Sequence, residues 1–164
     1  MKKIMWLSVA VAVAAGAYGR SLRATPANLF SNASIVHATF DDFDLKLHTI
    51  PAFWDLKLQS KGLTDVYSVQ NVWKPGGTTG WHTHPGPSFV IVTGGTVTAY
   101  EGDDPACTPH VYTVGMGFID PGDNHVHNVR NEDPTHDATT TAVQMVPAAA
   151  MRRIDVPAPG NCPF

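Results

Sequence analysis

The feature that most constrains this chain is a rhythm of short, alternating segments. SIVHATF (34–40), DLKLHTI (44–50) and WDLKLQ (54–59) each place apolar residues at every second position. That is the pattern of a half-buried β-strand, whose successive side chains point to opposite faces. LTDVYSVQNVW (63–73), TVTAY (96–100), HVYTV (110–114), GFID (117–120), HVHNVRN (125–131) and TTTAVQMV (139–146) continue the series. FVIV (89–92) is apolar throughout and reads as a strand buried on both sides. Between these segments stand the turn formers, 14 glycines and 13 prolines in 164 residues. Such a density breaks helices and favours strands joined by turns. The expected fold is all-β, a single domain built as an antiparallel barrel or sandwich.

The N-terminus follows a different rule. Lys2 and Lys3 precede an uncharged apolar stretch over residues 4–17 that ends in Ala15-Gly16-Ala17. A short positive region, an apolar run and small residues at its end describe an export signal. The run is short for a membrane span, which needs roughly 20 residues. The expectation is therefore a cleaved signal over 1–17 and an exported protein that no longer touches the membrane, with an uncleaved anchor as the alternative. Export suits the two cysteines, Cys107 and Cys162. In an oxidising compartment they read as one disulfide tying the C-terminal tail to a mid-chain loop, a stabilisation of roughly 3–4 kcal/mol.

The formal net charge of −3 argues against a nucleic-acid surface. Apart from Lys2–Lys3, the only basic cluster is Arg152–Arg153, which reads as a solvated pair near the C-terminus.

Chemistry concentrates in the histidines. His82 and His84 are two residues apart, as are His125 and His127, and each pair follows a Gly/Pro turn. On a strand, residues i and i+2 share a face, so each pair would project together. Two adjacent strands carrying such pairs would bring three or four imidazoles to one point, a donor set suited to Zn, Cu, Fe or Ni. His37, His48, His110 and His136 read as surface or strand histidines.

The spacing Gly76-x5-His82-x-His84-x3-Ser88-x6-Gly95 resembles the first motif of the cupins at every position except one. Ser88 stands where that motif carries Glu. The second cupin motif is echoed in GMGFIDPGDNHVHNVRN (115–131), where Gly115-x5-Pro121 and His127-x3-Asn131 match. The turn between those parts is one residue longer than the pattern, so His125 competes with His127 for the ligand position. The resemblance implies a jelly-roll barrel core over 62–147, preceded by an arm and leading strands over 18–61 and followed by an extended tail over 148–164. It also implies one divalent transition metal (Fe, Mn, Cu, Ni or Zn) held by His82, His84 and His127. Two outcomes stay open at Ser88. Either His125 completes a four-imidazole site, or three histidines leave positions for water or a small-molecule ligand.

Without a carboxylate, the site would keep the full dipositive charge of its metal, favouring anionic ligands and acidifying bound water. Asp120 and Asp123 read as turn residues. Ser88, Val90, Tyr100, Tyr112 and Gln144 are the candidates for the cavity wall, while Trp81 and Phe89 alternate away from it. The resemblance leaves three functions open: a metal-dependent enzyme, dioxygenase-like or isomerase-like, acting on a small anionic or oxygenated molecule; a non-catalytic binding module; or a structural barrel with a vestigial site, packed as a homodimer through its sheets. The fold itself does not choose between them.

Overall fold

Twelve strands and no helix account for the regular structure of the computed structural model, which describes residues 23–49 and 54–164. The expected export signal over 1–17 lies outside the described residues. In chain order the strands are β1 (Asn28–Phe40), β2 (Asp44–His48), β3 (Asp55–Gln59), β4 (Thr64–Thr78), β5 (His82–Thr83) and β6 (Ser88–Gly94). They continue with β7 (Thr96–Glu101), β8 (His110–Thr113), β9 (Gly117–Asp120), β10 (His127–Arg130), β11 (Ala138–Pro147) and β12 (Ile154–Asp155).

Ten of these strands form one antiparallel sheet that curls into a barrel, ordered β12-β5-β10-β4-β11-β6-β9, with β1 on β4 and β7 joining β10 to β8. Strands β2 and β3 make a separate hairpin. Long β4 organises the barrel because it pairs with β1 and with β11 along most of its length. The N-terminal arm is more ordered than its small polar residues suggest. Its residues from Asn28 onward belong to β1, where Asn32 lies opposite Asn71 and donates to its side chain at 2.6 Å.

Alternation sets the interior. On β6, Ser88, Val90 and Val92 are buried while Phe89 and Ile91 face outward. FVIV is therefore half-buried rather than covered on both sides, because β6 is a barrel strand whose outer face carries no second layer. Trp73, Val92, Val97, Ala99, Val129 and Ala138 fill one end of the barrel, with Phe118 packed on their edge. Each such valine contributes about 1.5–3 kcal/mol on leaving water. A smaller cluster of Val69, Val90 and Ala142 also rests on Phe118 and lines a cavity together with Trp73 and Val129 of the first.

The C-terminal tail returns to this cavity. Ile154 and Asp155 of β12 pair with Thr83 and His82 of β5, and Val156 donates to the Trp81 carbonyl at 3.0 Å. Farther along, Cys162 forms a disulfide with Cys107, compatible with an oxidising, exported location. Phe164 packs on Trp81 and under the Arg130 guanidinium, which lies 4.1 Å from its ring centre.

Candidate metal centre

Three strand ends bring three histidines together. His82 opens β5 and His127 opens β10, and the two are direct cross-strand partners with ring centres 4.3 Å apart. His84 follows β5, its ring 4.8 Å from that of His82 and 5.5 Å from that of His127. One ring nitrogen from each lies within 4.8 Å of the others.

The outer contacts of the rings decide which nitrogens are free. His82 Nδ1 lies 2.9 Å from the Gly80 carbonyl, and His84 Nδ1 lies 2.5 Å from the Arg152 carbonyl. A carbonyl only accepts, so His82 Nδ1 carries the proton. His84 Nδ1 meets both the Arg152 carbonyl and, at 2.9 Å, the Gln144 amide Nε2; the shorter carbonyl contact assigns it the proton, leaving each Nε2 its lone pair while the ring is neutral. His127 Nδ1 lies 3.5 Å from Asp120 Oδ1, too far to be held by a hydrogen bond. The carbonyls behind His82 and His84 are the arrangement that orients histidine ligands on a metal.

Burial keeps these rings neutral. It pushes His82 well below its ordinary value, assisted by the charges that His127, Arg153 and His84 would present. Burial likewise lowers His84, against the pull of the Arg152 carbonyl and Asp120. It takes His127 down to about 4, although Asp120 pulls the other way.

His125 does not join this group. Its Nε2 lies 2.9 Å from Glu101 Oε2, and its Nδ1 lies 3.4 Å from Asp120 Oδ1. The cause is backbone conformation: Asp123 and Asn124 both take positive φ, and β10 begins only at His127. Residues 125 and 127 therefore do not lie on one strand, and the same-face rule does not govern them. A second candidate metal group, formed by Asp120, His125 and His127, surrounds the same carboxylate.

Asp120 is the residue that sequence reasoning missed. It ends β9 opposite Ser88 of β6, is only 4% exposed, and faces the cavity rather than closing a solvent turn. Its Oδ1 accepts from Gly122 N–H at 3.0 Å, while its Oδ2 lies 3.7 Å from His84 Nε2 with no hydrogen-bond partner. Gly122 can hold this turn because its φ is +72° and a Cβ there would sit 2.5 Å from the backbone of Gly86. The second motif thereby packs directly on the loop after His84. An available signal was an acid immediately before the motif proline, in a chain that lacks the acid of the first motif.

Arg152 and Arg153 also depart from expectation. They wall the cavity instead of standing in solvent, because the pairing of β12 with β5 carries them there. Arg152 Nη2 donates to Asn32 Oδ1 at 3.0 Å, and its Nη1 reaches Gln144 Oε1 at 3.4 Å. Arg153 bonds Asp155 at 2.6 Å and the Thr79 carbonyl. Of the expected wall residues, Ser88, Val90 and Gln144 line the cavity. Tyr100 instead donates to Glu132 at 2.7 Å, and Tyr112 packs on Phe118. Asn131 braces the turn beyond β10, donating to the His136 carbonyl at 2.8 Å.

The donor set suits a divalent transition metal. Three neutral imidazoles converge, and Ser88 Oγ, Asp120 Oδ2 and His127 Nδ1 are buried around them without hydrogen-bond partners.

No protein-family model matches the chain, and no curated protein matches it. Solved structures do resemble it. The polyketide cyclase RemF from Streptomyces resistomycificus aligns over 80% of this chain and 75% of its own, at TM-score 0.50 and 16% identity. A cupin-like protein from Thermotoga maritima aligns over 58% of this chain and 65% of its own, at TM-score 0.45 and 24% identity. A double-stranded β-helix protein from Klebsiella pneumoniae aligns over 56% of this chain and 74% of its own, at TM-score 0.45 and 20% identity.

Proposed function

The chain has the cupin fold, and from that premise we propose that it is an exported metal-dependent enzyme acting on a small anionic, oxygenated molecule. The observation that carries the reading is the group of three histidines with one ring nitrogen each within 4.8 Å of the others, two of them oriented by carbonyls at Nδ1 so that Nε2 is free for an ion. His82, His84 and His127 would hold it, and a bound divalent ion would supply Lewis acidity to an oxygen-bearing ligand.

The rest of the cavity supports an anionic ligand. Val69, Val90, Phe118 and Ala142 give it an apolar lining, and a lower local dielectric strengthens charge interactions inside. Arg152 keeps guanidinium donors beyond the two that reach Asn32 and Gln144, in a fork that matches a carboxylate. Gln144 holds Arg152 to the metal side, since its Nε2 donates at 3.1 Å to the same Arg152 carbonyl that anchors His84.

Elemental analysis of the native protein, followed by turnover and oxygen-uptake assays with 2-oxo acids, enediols, thiols and β-diketones, tests the reading. A stoichiometric transition metal with turnover of one class is expected. A chain that takes up no metal would overturn the reading. A metal-loaded chain that binds these molecules but converts none is a binding module instead.

A further inference from the structure

We propose that Asp120 is the carboxylate ligand of this metal site, supplied from β9 in place of the acid missing at Ser88. The inference rests on the three-histidine reading and adds a fourth protein ligand to it. Ser88 and Asp120 are antiparallel partners, and residues directly opposite across two strands send their side chains to the same face. Both line the cavity. A carboxylate on either residue therefore serves the same space, and here the acid has moved one strand across. Ser88 Oγ, left at the motif position, finds no hydrogen-bond partner.

The carboxylate is held for this task. Gly122 N–H fixes Oδ1 at 3.0 Å, and the backbone contact of Gly122 with Gly86 fixes the turn. Oδ2 is left bare in a buried site, 3.7 Å from the Nε2 of His84 that carries the lone pair. A buried charged oxygen without a partner is costly, and an ion between the two atoms removes that cost. Ligand atoms each about 2.1 Å from one metal lie about 3 to 4.2 Å apart, a range that the Asp120–His84 pair meets. Asp120 lies outside the 4.8 Å cluster of His82, His84 and His127, so sharing their ion requires the carboxylate to move inward. His125 approaches the same carboxylate at Oδ1, the oxygen already taken by Gly122, and leaves Oδ2 free. A carboxylate ligand also lowers the net charge of the centre from +2 to +1.

Cobalt(II) titration of the native protein and of Asp120→Asn, read by visible absorption, tests this. Asparagine keeps the size of the side chain and an oxygen for Gly122. Asp120→Asn is expected to weaken cobalt binding by more than about 100-fold, beyond the loss an outer-shell partner causes, and to change the ligand-field bands. The double variant Ser88→Glu/Asp120→Ser, which returns the acid to the first-motif position, is expected to recover most of the affinity. Native affinity and unchanged bands in Asp120→Asn would overturn the proposal. So would weakened binding with unchanged bands, which would make Asp120 a positioning residue. Failure of the native chain to bind cobalt would overturn the three-histidine reading, and this inference with it.

Discussion

The two H-x-H pairs share one spacing and meet different fates. His82 and His84 both turn into the cavity, where carbonyls of Gly80 and Arg152 hold their rings. His127 joins them, but His125 swings out to Glu101. The difference lies in the backbone ahead of each pair. His82 opens β5 and His84 directly follows it, whereas His125 lies before β10, just after a turn in which Asp123 and Asn124 take positive φ. Spacing places two side chains on one face only where the chain is already extended. The extra residue in the second motif falls where that condition fails.

The sharpest way to break this contrast is to remove one ring at a time and measure metal content. His82→Ala and His127→Ala are expected to weaken metal binding by more than about 100-fold, a larger loss than removing an outer-shell partner causes. His125→Ala should retain native occupancy. Equal losses at His125 and His127 would mean that the two pairs act alike.

Acid tests the burial of the three converging rings next. In the metal-free chain, folding holds His82, His84 and His127 below the usual 6.5. Unfolded chains then take up protons below about pH 6.5 that the native state refuses, so stability is full above that pH and falls as pH drops toward about 4. Melting temperatures of the metal-free protein between pH 8 and 4 should show this decline, and a bound metal should shift it to lower pH. A flat profile would contradict the burial of these rings.

The smallest effect belongs to the outer pair. Burial pushes the Glu101 carboxyl up while His125 opposes it, and both side chains are partly exposed. Glu101→Gln is therefore expected to change unfolding free energy by under about 1 kcal/mol and to leave metal affinity unchanged. Loss of metal in this variant would tie His125 to the centre after all.

How much of this was legible in the sequence differs from residue to residue. The barrel follows from period-2 segments and glycine-rich turns, because both signals are local. The convergence of His82, His84 and His127 follows from motif spacing. Asp120 was hidden because its role depends on register: only the pairing of β9 with β6 sets it opposite Ser88. Arg152 and Arg153 were hidden for a related reason, since a tail rich in proline and alanine gives no local sign that it returns to pair with β5. The outward face of Ile91 was hidden because an apolar run does not say which of its sides another layer covers.

The return of the tail also sets an order of events. A chain made from its N-terminus exposes His82, His84 and His127 before residue 152 exists, and the carbonyl that fixes the His84 tautomer belongs to that residue. Strand β12 then has to lie down on β5, and Cys162 has to find Cys107 across 55 residues. The centre is thus finished by the segment synthesised after its histidines. An ion held by these three histidines would therefore sit in a centre that is complete only once the disulfide-tied tail is in place.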